Sequence, residues 1–124
     1  MSLNIEIKTI PHQDQRYDTC GDWLIDGDNI TILVSDLGDW RLEYLVADHE
    51  LREAILCRHR GISTKAVDDF DTASQGEGEP GDDPQAPYKR EHFFATSIER
   101  LTAAELDVDW AEYEGKLNAL EWGD

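Results

Sequence analysis

The chain has 124 residues, of which 28 are acidic and 11 basic, giving a formal net charge of −17. This length suits one domain with a single core, and a hydrophobic fraction of 40% with four tryptophans predicts a folded protein rather than a disordered one. The acidic charge repels phosphate backbones and anionic lipid headgroups, so we expect no direct nucleic-acid binding and no membrane binding.

The first third of the chain predicts three strands. Residues 4–10 alternate apolar and polar side chains and end at Pro11. Two further apolar runs, at about 22–26 and 30–34, flank a turn that contains Asp26-Gly27, a pair that supplies the positive φ angles of tight hairpins. We therefore expect a small antiparallel sheet made from the N-terminal strand and this hairpin.

Helical periodicity follows the strands. The pattern predicts an α+β fold in which three to four helices pack on the sheet, as a single domain over residues 1–124. The helices are expected at about 39–60, 64–73, 90–106 and 109–120.

Capping residues and a glycine- and proline-rich segment support the predicted ends of these helices. Asp36 or Asp39 is the candidate N-cap of the first helix, and Gly61 suits its C-terminus. Residues 74–88 combine glycine, proline and acidic residues, which predicts a loop.

The first helix carries the most informative pair. With residues 100° apart, His49 and Glu53 fall within one apolar sector, together with Leu42, Leu45, Val46 and Leu56. Asp48 and Arg52 fall on a neighbouring sector that we expect to be solvated. An ionised carboxylate on an apolar face costs several kcal/mol unless a partner pairs with it, so His49 and Glu53 predict a partner.

The third helix repeats this arrangement. His92 and Glu99 lie at the margin of an apolar stripe formed by Phe94, Ala95, Ile98 and Leu101. If the two helices meet along these faces, four groups could hold a divalent ion, with Glu99 either a ligand or the hydrogen-bond partner of one. The expected metal residues are His49, Glu53, His92 and Glu99, and Asp69 or Asp71 could add an oxygen ligand.

Two alternatives to a metal site stay open. The same residues could form a metal-free cluster in which a protonated histidine pairs with a glutamate, or they could be solvated. If a metal is bound, histidine and carboxylate ligands favour zinc, iron or manganese over calcium. Glu50 would be the catalytic base beside the metal, or a carboxylate at a sheet edge.

Three blocks of the sequence resemble a family of small uncharacterised proteins of tailed bacteriophages and prophages. They are IPHQDQRYDTCGDW at 10–23, HELREAILCRHRGI at 49–62 and GDDPQAPYKREHFFATSIERL at 81–101. The resemblance implies a phage or prophage origin and no particular activity.

The element order is also similar, more weakly, to the minimal core of zinc proteases, in which strands precede a His-Glu-x-x-His helix. His49 and Glu50 match the first ligand and the general base of that motif, but Glu53 occupies the position of the second histidine.

These observations leave two classes of function. The first is a phage-type protein with a buried His/Glu site for a divalent metal, acting as a metal-dependent hydrolase. The second is a non-enzymatic acidic interaction protein, either an inhibitor that imitates DNA or a phage accessory or structural protein, whose His/Glu cluster is only structural. A protein partner stays open, as does the oligomeric state.

The expected location is the cytoplasm of a host cell. No apolar run approaches the roughly 18 residues that a membrane span needs, and no secretion signal is predicted. Cys20 and Cys57 are far apart and belong to no Cys-x-x-Cys pair, so we expect both to be reduced.

Overall fold

A computed structural model describes residues 2–73 and 79–123. Three strands are followed by four helices, which confirms the α+β class. The strands are β1 (Asn4–Ile10), β2 (Gly21–Asp26) and β3 (Asn29–Ser35), and the helices are α1 (Trp40–Arg60), α2 (Thr64–Ala73), α3 (Lys89–Glu105) and α4 (Trp110–Asn118). Short 3-10 turns occupy His12–Asp14 and Pro80–Asp82.

The sheet is mixed rather than antiparallel as predicted. Its order is β1-β3-β2, with β2 antiparallel and β1 parallel to β3. The chain reverses direction between β1 and β2 and again at the Gly27-Asp28 hairpin, so β1 and β3 run the same way. Because β1 pairs with the free edge of β3 instead of with β2, its pairing is parallel. The local sequence specifies the hairpin but not which edge receives β1.

The ends of α1 follow the predicted capping chemistry. The Asp39 carboxylate accepts a hydrogen bond from the Arg41 backbone N–H at 2.9 Å, which identifies Asp39 as the N-cap. Gly61 adopts a left-handed conformation with φ of 71° at the C-terminus. The predicted loop at 74–88 lies partly outside the described residues, and the part from 79 onwards contains a 3-10 turn and bends.

The core lies between one face of the sheet and α1. Alternate residues of β3, namely Ile30, Ile32 and Val34, are completely buried there. Helix α1 buries its apolar face together with a second side of small residues, so it is enclosed on more than one face. The buried residues of α1 are Leu42, Leu45, Val46, Ala47, His49, Glu53, Ala54 and Cys57, whereas Leu56 is half-buried.

Helix α3 is rotated relative to the predicted orientation. Phe94 and Leu101, expected on the packing face, are 45% and 66% exposed. The buried face of α3 instead contains Glu91, His92, Ala95, Glu99 and Ala103. The two alanines let α3 approach α1 closely, and this approach turns the histidine and glutamate inward.

The remaining elements complete the molecule. Tyr113 of α4 is buried, and Trp110, Leu117 and Leu120 pack against the same core. Cys20 and Cys57 are both free thiols. Among residues 2–73 and 79–123, no helix is both long and apolar enough to cross a membrane.

Candidate metal centre

His49, Glu53 and His92 meet between α1 and α3. All three side chains are buried, and one potential ligand atom from each lies within 4.8 Å of the other two. Glu53 Oε2 lies 3.2 Å from His49 Nε2 and 3.0 Å from His92 Nδ1. Three of the four predicted metal residues therefore form one group that could hold a metal ion, and the alternative of solvated side chains is wrong.

Glu99 lies on the other side of the His49 ring from this group. Its Oε1 is 2.7 Å from His49 Nδ1, whereas His49 Nε2 faces Glu53. Glu99 is thus the hydrogen-bond partner of a candidate ligand, which is the second of its two predicted roles. This contact fixes the orientation of the imidazole ring.

Both histidines use their two ring nitrogens in the same way. One nitrogen faces Glu53 and the other faces an outer carboxylate, which is Glu99 for His49 and Asp82 for His92. The His92 Nε2 to Asp82 Oδ1 distance is 3.2 Å. A metal-binding histidine typically has this second carboxylate partner, because it sets the ring orientation and makes the ligating nitrogen more basic.

Glu53 is anchored from the sheet. The Trp23 indole N–H of β2 donates a hydrogen bond of 3.1 Å to Glu53 Oε1, which leaves Oε2 for the two histidines. Sequence reasoning did not anticipate the contacts from Trp23 and Asp82. Each comes from a segment distant in the chain, and no local pattern links it to the helices.

The electrostatics of the group follow from burial and pairing. Burial raises the pKa of Glu53, but hydrogen bonds from His49 and His92 outweigh that effect and lower it to about 2. Burial lowers the pKa of each histidine, but hydrogen bonds outweigh it, to Glu53 for both and also to Glu99 for His49, and raise both pKa values above the usual 6.5. Below about pH 6.5 and without a metal ion, the group is therefore a carboxylate shared by two imidazolium rings.

Glu50, the predicted base, lies beside the group. Its Oε2 is 3.8 Å from His49 Nε2. Burial raises the pKa of Glu50 well above its usual value, and the Glu53 carboxylate raises it further. Gly21 of β2 permits this position, since a Cβ atom there would lie 2.6 Å from Glu50 Cγ.

Asp69 and Asp71 lie apart from the three-residue group. Asp69 is exposed and pairs with Lys65 one helical turn earlier. Asp71 accepts hydrogen bonds from the hydroxyls of Tyr17 and Tyr88. In the described part of the chain, neither carboxylate is among the residues that could share a metal ion with His49.

A cavity of about 320 Å³ opens in front of the two histidines. Its lining includes His49, Glu50 and His92 on one side and Trp110 and Tyr113 of α4 on another. The volume is near the lower end of the range of about 300–1,000 Å³ that is typical of small-molecule sites. A small molecule could therefore reach the histidines.

Comparison of the chain with profiles of known protein families, with curated proteins and with solved structures found no match.

The close packing of Gly81 on His92 yields a first prediction. A Cβ atom at Gly81 would overlap the His92 ring, whereas one at Gly115 of α4 would meet open space. We expect Gly81→Ala to lower the free energy of unfolding by about 1–3 kcal/mol. Gly115→Ala should raise it by about 0.5–1 kcal/mol, because alanine suits a helix interior. Urea unfolding of both variants measures this difference, and equal effects would contradict the proposed packing.

The charge state of the group yields a second prediction, for protein kept in chelator. The lowered pKa of Glu53 contributes stability above its unfolded value of 4.5 that is lost as pH falls toward 2. The raised histidine pKa values contribute stability below 6.5 that is lost as pH rises through the higher folded values. The stability advantage of the wild type over Glu53→Gln should thus be greatest between about pH 4.5 and 6.5.

Chemical unfolding across this pH range measures the difference. The exposed Glu105 provides a matched control, and Glu105→Gln should show no maximum in that window. An advantage that keeps growing above pH 8 would contradict the paired imidazolium description.

Proposed function

We propose that His49, Glu53 and His92 bind one divalent metal ion and that the protein is a metal-dependent hydrolase with Glu50 as its general base. The observation that carries the proposal is the orientation of the two imidazole rings. Each presents one nitrogen to Glu53 Oε2 and the other to an outer carboxylate.

Two of the three distances within the group suit a metal ion, and the His49 and His92 ligand atoms lie no more than 4.8 Å apart. Ligand atoms about 2.0–2.1 Å from a tetrahedral zinc ion are about 3.3 Å apart. The separations of 3.2 and 3.0 Å from Glu53 Oε2 to the two histidine nitrogens are close to that value. Two histidines and one carboxylate are a donor set for zinc, iron or manganese.

The position of Glu50 and the presence of a cavity favour a hydrolytic role for the metal ion over a purely structural one. A bound metal ion would supply Lewis acidity, polarising a substrate carbonyl and lowering the pKa of a water molecule. Glu50 lies beside His49 at the wall of the cavity, where it can accept a proton from that water and return it to the leaving group.

The charges of the cavity wall restrict the substrate. Five carboxylates and one guanidinium are among its described lining residues, namely Glu50, Glu79, Asp82, Glu99, Glu114 and Arg100. A phosphate ester or another anion would be repelled, so the substrate is a neutral or cationic ester or amide.

The competing hypothesis is that the chain is a non-enzymatic acidic interaction protein. Its support is the net charge of −17. Glu50, Glu53 and Glu99, however, point toward the histidines instead of forming part of a surface that imitates DNA. The phage or prophage origin and the likeness to zinc proteases stay predictions.

Metal binding is tested by comparing histidines on the same helix. Protein purified without chelator should contain about one equivalent of zinc, iron or manganese. His49→Ala should lose that metal, because its imidazole supplies a ligand, whereas His59→Ala should keep it, because His59 is exposed at the end of α1. Elemental analysis provides the measurement.

Thermal unfolding provides a second readout on the wild type. At a metal concentration 1,000 times the Kd, binding stabilises the folded state by about 4 kcal/mol, and EDTA should remove this gain. Less than a tenth of an equivalent of metal, with a Tm indifferent to EDTA and to added zinc or manganese, would support the metal-free cluster instead.

The role of Glu50 is tested with p-nitrophenyl acetate as a neutral ester probe. Glu50→Gln should keep the metal but hydrolyse the probe about 100 times more slowly, since a general base contributes at least that much. Glu114→Gln changes another carboxylate of the same cavity and should retain the rate. Absence of hydrolysis by metal-loaded wild type, or equal rates in the two variants, would contradict the assigned role.

A further inference from the structure

The exposed edge of the sheet belongs to β1. Strand order β1-β3-β2 places β1 and β2 at the two edges, but their burial differs. The first three residues of β2 are buried, whereas all of β1 except Ile10 is exposed. An exposed edge strand presents unpaired backbone N–H and C=O groups that another strand can bind.

One face of this strand is apolar. Leu3, just before β1, and Ile5 and Ile7 within it are 55%, 44% and 50% exposed. Ile5 is paired with Ile30 and Ile7 with Ile32, so the two β1 isoleucines lie on the same side of the sheet as the buried isoleucines of β3. The apolar face that α1 covers on β3 therefore continues onto β1 as an exposed strip.

The other face of β1 carries one charge of each sign. Glu6 and Lys8 are both exposed, and their side chains form an ion pair of 2.9 Å within the strand. They flank Ile7, the central residue of the seven-residue strand Asn4–Ile10. Glu6 and Lys8 therefore lie at equal distances along the strand from Ile7, as do the two ends of the strand.

We propose that β1 is a dimerisation edge, and that two copies of this chain pair their β1 strands in antiparallel register with Ile7 opposite Ile7. This register overlaps all seven residues of both strands. It places Glu6 of each copy directly opposite Lys8 of the other, where oppositely charged cross-strand pairs are stabilising. The two sheets then form one continuous six-stranded sheet with an isologous interface.

The charges select this register over its neighbours. Centring the pairing on Glu6 or on Lys8 would place identical charges opposite each other, which is unfavourable. Centring it on Ile7 also brings the exposed isoleucines of both copies into one strip on the face that carries α1 in each copy. This burial of apolar surface supplies the driving force for association.

The dimer is weak, because a single strand edge buries little surface and each copy carries a net charge of −17. Repulsion between the copies is screened by salt, with a Debye length of about 8 Å at 0.15 M. We expect a Kd in the micromolar range that decreases as salt is added.

The test is a charge-exchange cycle on the full chain, followed by sedimentation equilibrium. Glu6→Lys and Lys8→Glu should each raise the dimer Kd about tenfold or more, because like charges then meet twice in each dimer. The double variant Glu6→Lys with Lys8→Glu should restore the wild-type Kd. Glu105→Lys, on the exposed side of α3, is the control for net charge.

Glu6→Lys separates pairing at β1 from a general effect of charge. It reduces the net negative charge, so it would strengthen any association that overall repulsion limits. Weaker dimerisation by Glu6→Lys, with unchanged or stronger dimerisation by Glu105→Lys, supports the β1 edge. Wild-type protein that is monomeric up to about 1 mM, or a double variant that dimerises no better than the single ones, would overturn the proposal. Metal content is measured separately and does not enter this test.

Discussion

The carboxylate of Glu53, shared between His49 and His92, is the interaction around which the helical layer is organised. Burying an ionised carboxylate costs several kcal/mol unless it is paired and hydrogen-bonded. Here the Trp23 indole satisfies one oxygen and two imidazole rings satisfy the other. Because these partners come from β2, α1 and α3, a single buried charge links the sheet to both long helices.

This arrangement is compatible with both protons and a metal ion. In the metal-free group, the two ring nitrogens that face Glu53 carry protons, consistent with the raised histidine pKa values. A divalent ion bound to the same nitrogens would replace those two protons and leave the net charge unchanged. The outer carboxylates Glu99 and Asp82 serve equally in both states, since they bind the opposite nitrogens. The group can therefore be formed before a metal is bound.

Small residues around the group make its geometry possible. Gly81 lets the 3-10 turn of residues 80–82 pack directly on the His92 ring, and Gly21 lets β2 approach Glu50. Ala95 and Ala103 do the same between α3 and α1. Close backbone approach at these small residues thus helps to enclose the polar side chains, together with the aromatic residues Trp23 and Tyr88.

Local structure could be predicted from the sequence: the three strands, a hairpin turn that contains Asp26-Gly27, an N-cap of α1 at Asp36 or Asp39, and one helical face shared by His49 and Glu53. These depend on backbone preferences and on a helical repeat of 3.6 residues, which act over a few neighbouring positions. Contacts between distant segments set the rest: β1 pairs in parallel with β3, α3 turns His92 inward and leaves Leu101 exposed, and Trp23 and Asp82 join the group. Periodicity specifies which residues share a face, but the face that is buried depends on how closely the elements can approach one another.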